Sequence, residues 1–235
     1  MILQRLATSI RKQDWFTVLI ETLIVVFGVF IGLQVNNWNA ERHGRLDEQA
    51  LIGRLADEFT TLETVVLQRT ERAERLVADT AELIECVRQD EVPADEARTK
   101  DMLRVALLLY NGQVPPPTSF SDALQSGRIG SLRNDALRQA LYDYQISTDW
   151  WSTVRGPAPS QIDPDSRLSQ AVTQSAEKTR EGSIRPEILS YDWEKVREAE
   201  RELVAIHHHQ ALQAEAYRLE LAEIRQVIAV LEQSP

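Results

Sequence analysis

A run of twenty residues from Phe16 to Val35, FTVLIETLIVVFGVFIGLQV, narrows the possible folds more than any other part of this chain. Twenty helical residues rise about 30 Å, roughly the thickness of a bilayer's hydrocarbon core. No charged residue falls between Thr22 and Ala40, and Trp15 and Trp38 bracket the run as aromatic anchors for the two membrane interfaces. A buried core helix would carry a polar face, and Leu23 to Leu33 has none. A cleaved signal peptide would end in small residues, whereas this run continues Gln34-Val35-Asn36-Asn37-Trp38. A re-entrant segment would need a second apolar run to line a cavity. The reading is a single transmembrane helix over 15–38, preceded by a basic amphipathic tail over 1–14.

Within the span, Glu21, Val25, Gly28, Gly32 and Val35 recur at alternating intervals of four and three, so they share one helical face. Gly28 and Gly32 form a GxxxG pair, which lets a second helix approach closely. An ionisable Glu21 in the same face is costly in hydrocarbon and suggests a partner. The bland alternatives are that glycine is common in membrane helices and that Glu21 reaches headgroup water near Trp15. The expected partners are the lipid bilayer and either a second copy of the chain or another membrane protein meeting this face.

Basic residues near the two ends of the span balance: Arg5, Arg11 and Lys12 against Arg42, Arg45 and Arg54. In the tail, Ile2/Leu3, Leu6 and Ile10 line one face and the bases another, a pattern suited to an anionic cytoplasmic leaflet. That places the N-terminus in the cytoplasm and the larger part outside it, on a bacterial inner (plasma) membrane. The formal charge of −10 divides unevenly, because residues 1–38 carry a net +1. The remainder is strongly acidic, which excludes a nucleic-acid partner held through neutralised phosphates. The one cysteine, Cys86, excludes an internal disulfide framework.

Residues 39–235 read as a soluble helical domain. The nine prolines avoid 1–92 and 187–234 and cluster at Pro93, Pro115–Pro117, Pro157–Pro164 and Pro186, as between helices. A long helix, continuing from the span or restarting near Gly44, is expected over about 45–89. Its stripe is Leu51, Leu55, Phe59, Leu62, Val66, Arg69, Ala73, Leu76, Thr80, Leu83 and Val87. A second is expected over about 191–232, with Val196, Glu200, Leu203, His207, Gln210, Ala214, Tyr217, Leu221, Ile224, Ile228 and Leu231. Neither stripe is stable in water alone, so the two helices should pair antiparallel, coiled-coil fashion. Short helices fill 95–155: one from Asp95 to Tyr110 stopping at Asn111-Gly112, and one capped by Thr118 or Ser119 and closed by Gly127. A third is capped by Asn134, with Leu137, Leu141, Tyr144 and Trp151 facing inward. Residues 156–189 are variable, with a linker at Gly156–Asp165 and a polar excursion over 166–185 that permits a weak helix. No β-rich alternation is visible. The fold class is all-α.

Chemistry is sparse. His207-His208-His209 point about 100° apart on a helix and cannot converge on one metal ion; His207 is expected in the core stripe. No nucleophile elbow, phosphate-binding glycine loop or HExxH occurs. Acidic pairs such as Glu58 with Glu63 read as a solvated helix face. No catalytic residue, metal or cofactor is assigned, and the chain reads as more like a non-enzyme. The one distinctive motif is Thr118–Asn134, TSFSDALQSGRIGSLRN, two capped helices around a glycine turn filled by Phe120, Leu124, Ile129 and Leu132. Phe120, Ser126, Gly127, Arg128 and Asn134 mark either a structural corner or a ligand-binding turn.

The span with Glu21, Gly28, Gly32 and the exit Gln34-Val35-Asn36-Asn37-Trp38-Asn39-Ala40-Glu41-Arg42 resembles an uncharacterised bacterial family of small single-span membrane proteins. The Thr118-Ser-Phe, Ser126-Gly127-Arg128, Arg133-Asn134 corner, with Leu137 and Tyr142/Tyr144 after it, is similar to that family's second signature. The resemblance implies a membrane-anchored helical domain without a known activity. The expected function is therefore an interaction, scaffold or sensing module. The alternative is an enzyme or receptor subunit with a pocket beside 118–134.

Overall fold

The computed structural model describes residues 15–107, 114–155, 165–178 and 184–233, with side chains over 19–107, 114–152, 165–175 and 187–233. The basic tail, the side chain of Trp15, the expected stop at Asn111-Gly112 and the linker over 156–164 lie outside these residues. The helices are α1 (Trp15–Gln89), α2 (Glu96–Ala106), α3 (Thr118–Gln125), α4 (Asp135–Arg155), α5 (Arg167–Gln170), α6 (Trp193–Glu198) and α7 (Glu200–Glu232). A 3-10 turn occupies Ile129–Ser131, and strands β1 (Val172–Lys178) and β2 (Ile184–Tyr191) form a hairpin. The architecture is all-α with this small appendage.

The chain divides into two compact units, Met1–Gly53 and Arg54–Pro235. In the first, α1 is helical from Trp15 without a restart at Gly44. Its side chains from Leu19 to Asp47 are all exposed. This stretch is long and apolar enough to cross a membrane.

In the second unit, α1 buries Leu55, Phe59, Leu62, Val66, Thr70, Ala73, Leu76, Thr80, Leu83, Ile84 and Val87. The expected stripe holds, with one shift: Arg69 is half-buried at its edge, and Thr70 takes the inside position. The small hydroxyl can be buried because Thr70 Oγ1 donates to Val66 O at 2.9 Å, whereas a buried guanidinium would leave a charge and further donors to satisfy. Helix α1 ends where Asp90 adopts φ 55°. There Glu91 N–H donates to Cys86 O at 3.0 Å and Asp90 N–H to Val87 O at 3.3 Å, a Schellman closure two residues before Pro93.

Helix α7 runs antiparallel to this part of α1. Arg88 Nε meets Glu200 Oε1 at 2.9 Å, Arg218 Nε meets Glu74 Oε1 at 2.7 Å, and Arg225 Nε meets Glu63 Oε1 at 2.7 Å. Descending α1 through residues 88, 74 and 63 therefore corresponds to ascending α7 through 200, 218 and 225, the order of an antiparallel pair. The buried row on α7 is Leu203, Ile206, Gln210, Gln213, Tyr217, Glu220, Ile224, Val227 and Leu231, at alternating intervals of three and four. Glu200, His207 and Ile228 from the expected stripe are only half-buried. The inner face is turned toward Ile206, Gln213, Glu220 and Val227 because α4 also packs on α7 and widens the covered arc.

Two apolar centres fill the unit. One is a triad of edge-to-face rings, Phe59 of α1, Phe120 of α3 and Tyr144 of α4, with centroids 5.1 to 6.0 Å apart. The other gathers Leu83, Ile84 and Val87 of α1 with Met102, Leu103 and Ala106 of α2. Leu168 of α5, Ile188 of β2, Val196 of α6 and Leu203 and Ile206 of α7 complete it. Helix α2 is capped by Asp95, whose Oδ1 accepts from Ala97 N–H and Arg98 N–H. Arg98 reaches across to Asp79 at 2.8 Å and to Glu82 of α1, and these carboxylates hold its guanidinium above its ordinary pKa.

Three expectations are corrected here. Residues 172–178 form a strand of an antiparallel hairpin, neither a weak helix nor a loop. Only Ile188 of the strand side chains described is fully buried, so the apolar alternation that announces a strand is too faint to read. A bulge between Thr173 and Gln174 further breaks the period. The C-terminal helix does not start as one piece near 191, since α6 is capped by Asp192 and a break at Ala199 precedes α7. Trp151 is only half-buried, stacked edge-on against Trp150 at 4.3 Å.

Candidate functional site: the Thr118–Asn134 corner and its groove

Helix α3 begins directly after Pro115–Pro117, where the N-cap residue Pro117 has no side chain with which to satisfy the first N–H groups. Neither Thr118 nor Ser119 caps it, contrary to expectation. Both lie inside the first turn, and the cap comes from α1 instead. Glu58 Oε2 accepts from Ser119 N–H at 2.9 Å and Glu58 Oε1 accepts from Ser119 Oγ at 2.8 Å. A carboxylate at a helix N-terminus also meets the positive end of the helix dipole. Glu58 is thus a tertiary cap, and Glu63 is paired with Arg225, so neither belongs to a merely solvated face. Glu202 of α7 acts similarly on α5, accepting from Leu168 N–H at 2.7 Å.

Below the cap, Phe120, Ile129 and Leu132 are buried as expected, and Leu124 is half-buried. The turn of Ser126, Gly127 and Arg128 is exposed. Gly127 adopts φ 73°, the left-handed conformation that ends α3, and its N–H donates to Leu124 O at 3.1 Å. Asn134 caps α4, its Oδ1 accepting from Ala136 N–H at 3.0 Å and Leu137 N–H at 3.1 Å. Arg138 Nη1 donates to Leu132 O at 2.6 Å and ties α4 back to the corner. The motif therefore folds as a corner, with Phe120 and Asn134 spent on structure and Ser126–Arg128 outside.

A groove of about 410 Å³ runs beside it. One wall is α1 through Asp57, Thr61, Leu62, Val65 and Arg69; the other is Val114 with Pro115–Pro117. Two of its polar side chains, Thr61 and Glu58, are already engaged within the protein. Thr61 Oγ1 donates to Asp57 O at 2.9 Å, and both Glu58 oxygens hold Ser119. A second groove of about 490 Å³ lies across the prolines, against Gln145, Thr148, Asp149 and Ser152 of α4. The chemistry on offer is apolar contact with polar rims, without a nucleophile held by a base.

The remaining sequence-derived positions lie apart from this corner. Glu21, Gly28 and Gly32 are exposed on the N-terminal part of α1, and a Cβ added at either glycine would meet nothing within 4 Å. Trp38 is 59% exposed there. His207 and His209 are half-buried and His208 is exposed. Among the described residues, no group of three or more His, Cys, Asp or Glu stands close enough to hold a metal ion. Cys86 is half-buried; desolvation, then the charges of Glu82 and Glu91, push its thiol above the usual range. The sequence reading missed Glu58 and Glu202. The available signal was a helix opening on three prolines, the last of which, as N-cap, carries no side-chain acceptor. No family model, curated protein or solved structure matches this chain.

Proposed function

We propose that this chain is a single-span membrane protein whose helical domain serves as an interaction or sensing module. The observation that carries the reading is the contrast along α1. From Leu19 to Val35 its large apolar side chains are uniformly exposed, whereas from Leu55 onward they are buried every third or fourth position. An uncovered stretch of that length is suited to lipid, and the covered part to a bundle in water. The proposed site is a bacterial inner membrane, with the N-terminus cytoplasmic and the acidic domain outside. The Gly28/Gly32 face is the proposed meeting point with a second copy or another membrane helix.

Reporter fusions after Gln233 test the topology. A periplasmic alkaline phosphatase fusion should be active and a fluorescent-protein fusion dark; the opposite pair reverses the orientation. Carbonate extraction should leave the chain in the membrane pellet, and release into the supernatant would sink the membrane reading. One observation favours a second reading, a ligand-binding receptor subunit: the 410 Å³ groove beside the corner falls within the range of small-molecule sites. A thermal-shift screen of amphipathic compounds, repeated on Val65→Trp to fill the groove, separates the two readings.

A further inference from the structure

The seam between α1 and α7 is mostly apolar, with Thr70 and Thr80 of α1 and Gln210, Gln213 and Glu220 of α7 as buried polar members. Gln210 and Gln213 are consecutive members of the buried row on α7, 4% and 6% exposed. Gln210 Nε2 donates to Val105 O of α2 at 3.4 Å. The Oε1 atoms of both glutamines are buried and accept no hydrogen bond from the protein. Turning the Gln210 amide over would not help, because its oxygen would then face the Val105 carbonyl. Buried polar atoms in folded proteins are nearly always satisfied, by protein or by ordered water.

Both side chains line one small cavity, together with His209 on α7 and Ala73 and Leu76 on α1. The cavity measures about 10 Å³. That volume is the room of a single water molecule and excludes any organic ligand. It exists because Ala73 is the smallest residue in the buried stripe of α1 in this unit. A slip of α7 by seven residues along α1 would carry the glutamine pair from Ala73 and Leu76 toward Val66 or toward Thr80 and Leu83. Those side chains are larger than alanine and would occupy the space.

We propose that this cavity is a hydration site, in which one internal water donates one hydrogen bond to Gln210 Oε1 and the other to Gln213 Oε1. The two O–H groups of a water match the two orphaned acceptors in number. The water extends a polar chain from the Val105 carbonyl through Gln210 to Gln213, inside a mostly apolar seam. Its role is that of a buried polar residue in a coiled coil, which singles out one register among several that bury similar apolar area.

Water-selective NMR on the full chain in detergent, with glutamine side chains isotope-labelled, tests the site. Cross-peaks from a long-lived water to the amide protons of both Gln210 and Gln213 are expected. Gln213→Met removes one acceptor while keeping the shape, and should abolish the water cross-peak at Gln210 as well. Ala73→Val fills the space and should abolish both, with helical circular dichroism retained. Assigned amide protons lacking water cross-peaks in the native chain would overturn the proposal, and so would a Gln210 cross-peak that survives Gln213→Met. Should either variant fail to fold, the native-chain spectrum alone still decides.

Discussion

Glu58 and Glu202 each end the search for a hydrogen-bond partner at the start of a helix that belongs to another part of the chain. Removing such a cap typically costs about 0.5–2 kcal/mol. Glu58→Ala should lower the melting temperature of the domain, and Glu58→Gln by less, since an amide oxygen still accepts from Ser119 N–H. Equal losses in the two variants would mean that the charge, and not the hydrogen bond, carries the effect. Cys86 offers a pH readout. Its thiolate would form in partial burial beside Glu82 and Glu91, so the anion is disfavoured and the thiol keeps its proton to higher pH. Alkylation should therefore rise with pH and reach half its maximal rate above the range of an ordinary thiol. Glu91→Gln should move that midpoint down, and an unchanged midpoint would remove the electrostatic account. At this scale the sequence is readable where the partner is near. Asn134 and Gly127 act on residues within three positions, and both are recognisable from type and place alone. Glu58 acts on Ser119 across sixty-one positions, and nothing in the local sequence points from one to the other.

Among elements, the pairing of α1 with α7 is held by apolar burial, and the exposed ion pairs contribute little. An exposed pair contributes about 0–1 kcal/mol, so Arg225→Gln should scarcely move the denaturation midpoint. Phe120→Ala removes a fully buried ring from the triad with Phe59 and Tyr144, and should cost about 3–5 kcal/mol in chemical denaturation. The long helices were legible because a period of three and four sustained over ten or more positions has few competing explanations. The β1–β2 hairpin was not, because one buried isoleucine carries no period. The half-burial of His207 was also illegible. It depends on α4 lying against α7, a tertiary fact that turns the buried arc by one residue.

For the molecule as a whole, the division at Gly53/Arg54 makes a prediction about parts. A fragment of residues 54–235 should be soluble without detergent, strongly helical by circular dichroism, and should unfold cooperatively; aggregation of the fragment would show that residues before it are needed. In the full chain, Gly28→Ile should weaken self-association of the span in a crosslinking or two-hybrid assay. The same substitution should leave the melting of the domain unchanged, since an added Cβ there touches nothing in the protomer. Association at native strength would remove the glycine face from the reading.

The antiparallel seam has a consequence for biogenesis. Its ion-paired contacts join residues 112 to 162 positions apart, so α1 is synthesised long before its mate. At about 5–20 residues per second, the ribosome takes on the order of ten seconds or more to deliver α7 after α1. Through that interval the stripe of Leu55, Phe59, Leu62 and Val66 has no final cover. Shielding of the nascent chain by a chaperone or the translocation machinery is the expected outcome, and slowing translation between α4 and α7 should increase its degradation, as a pulse-chase measurement would read.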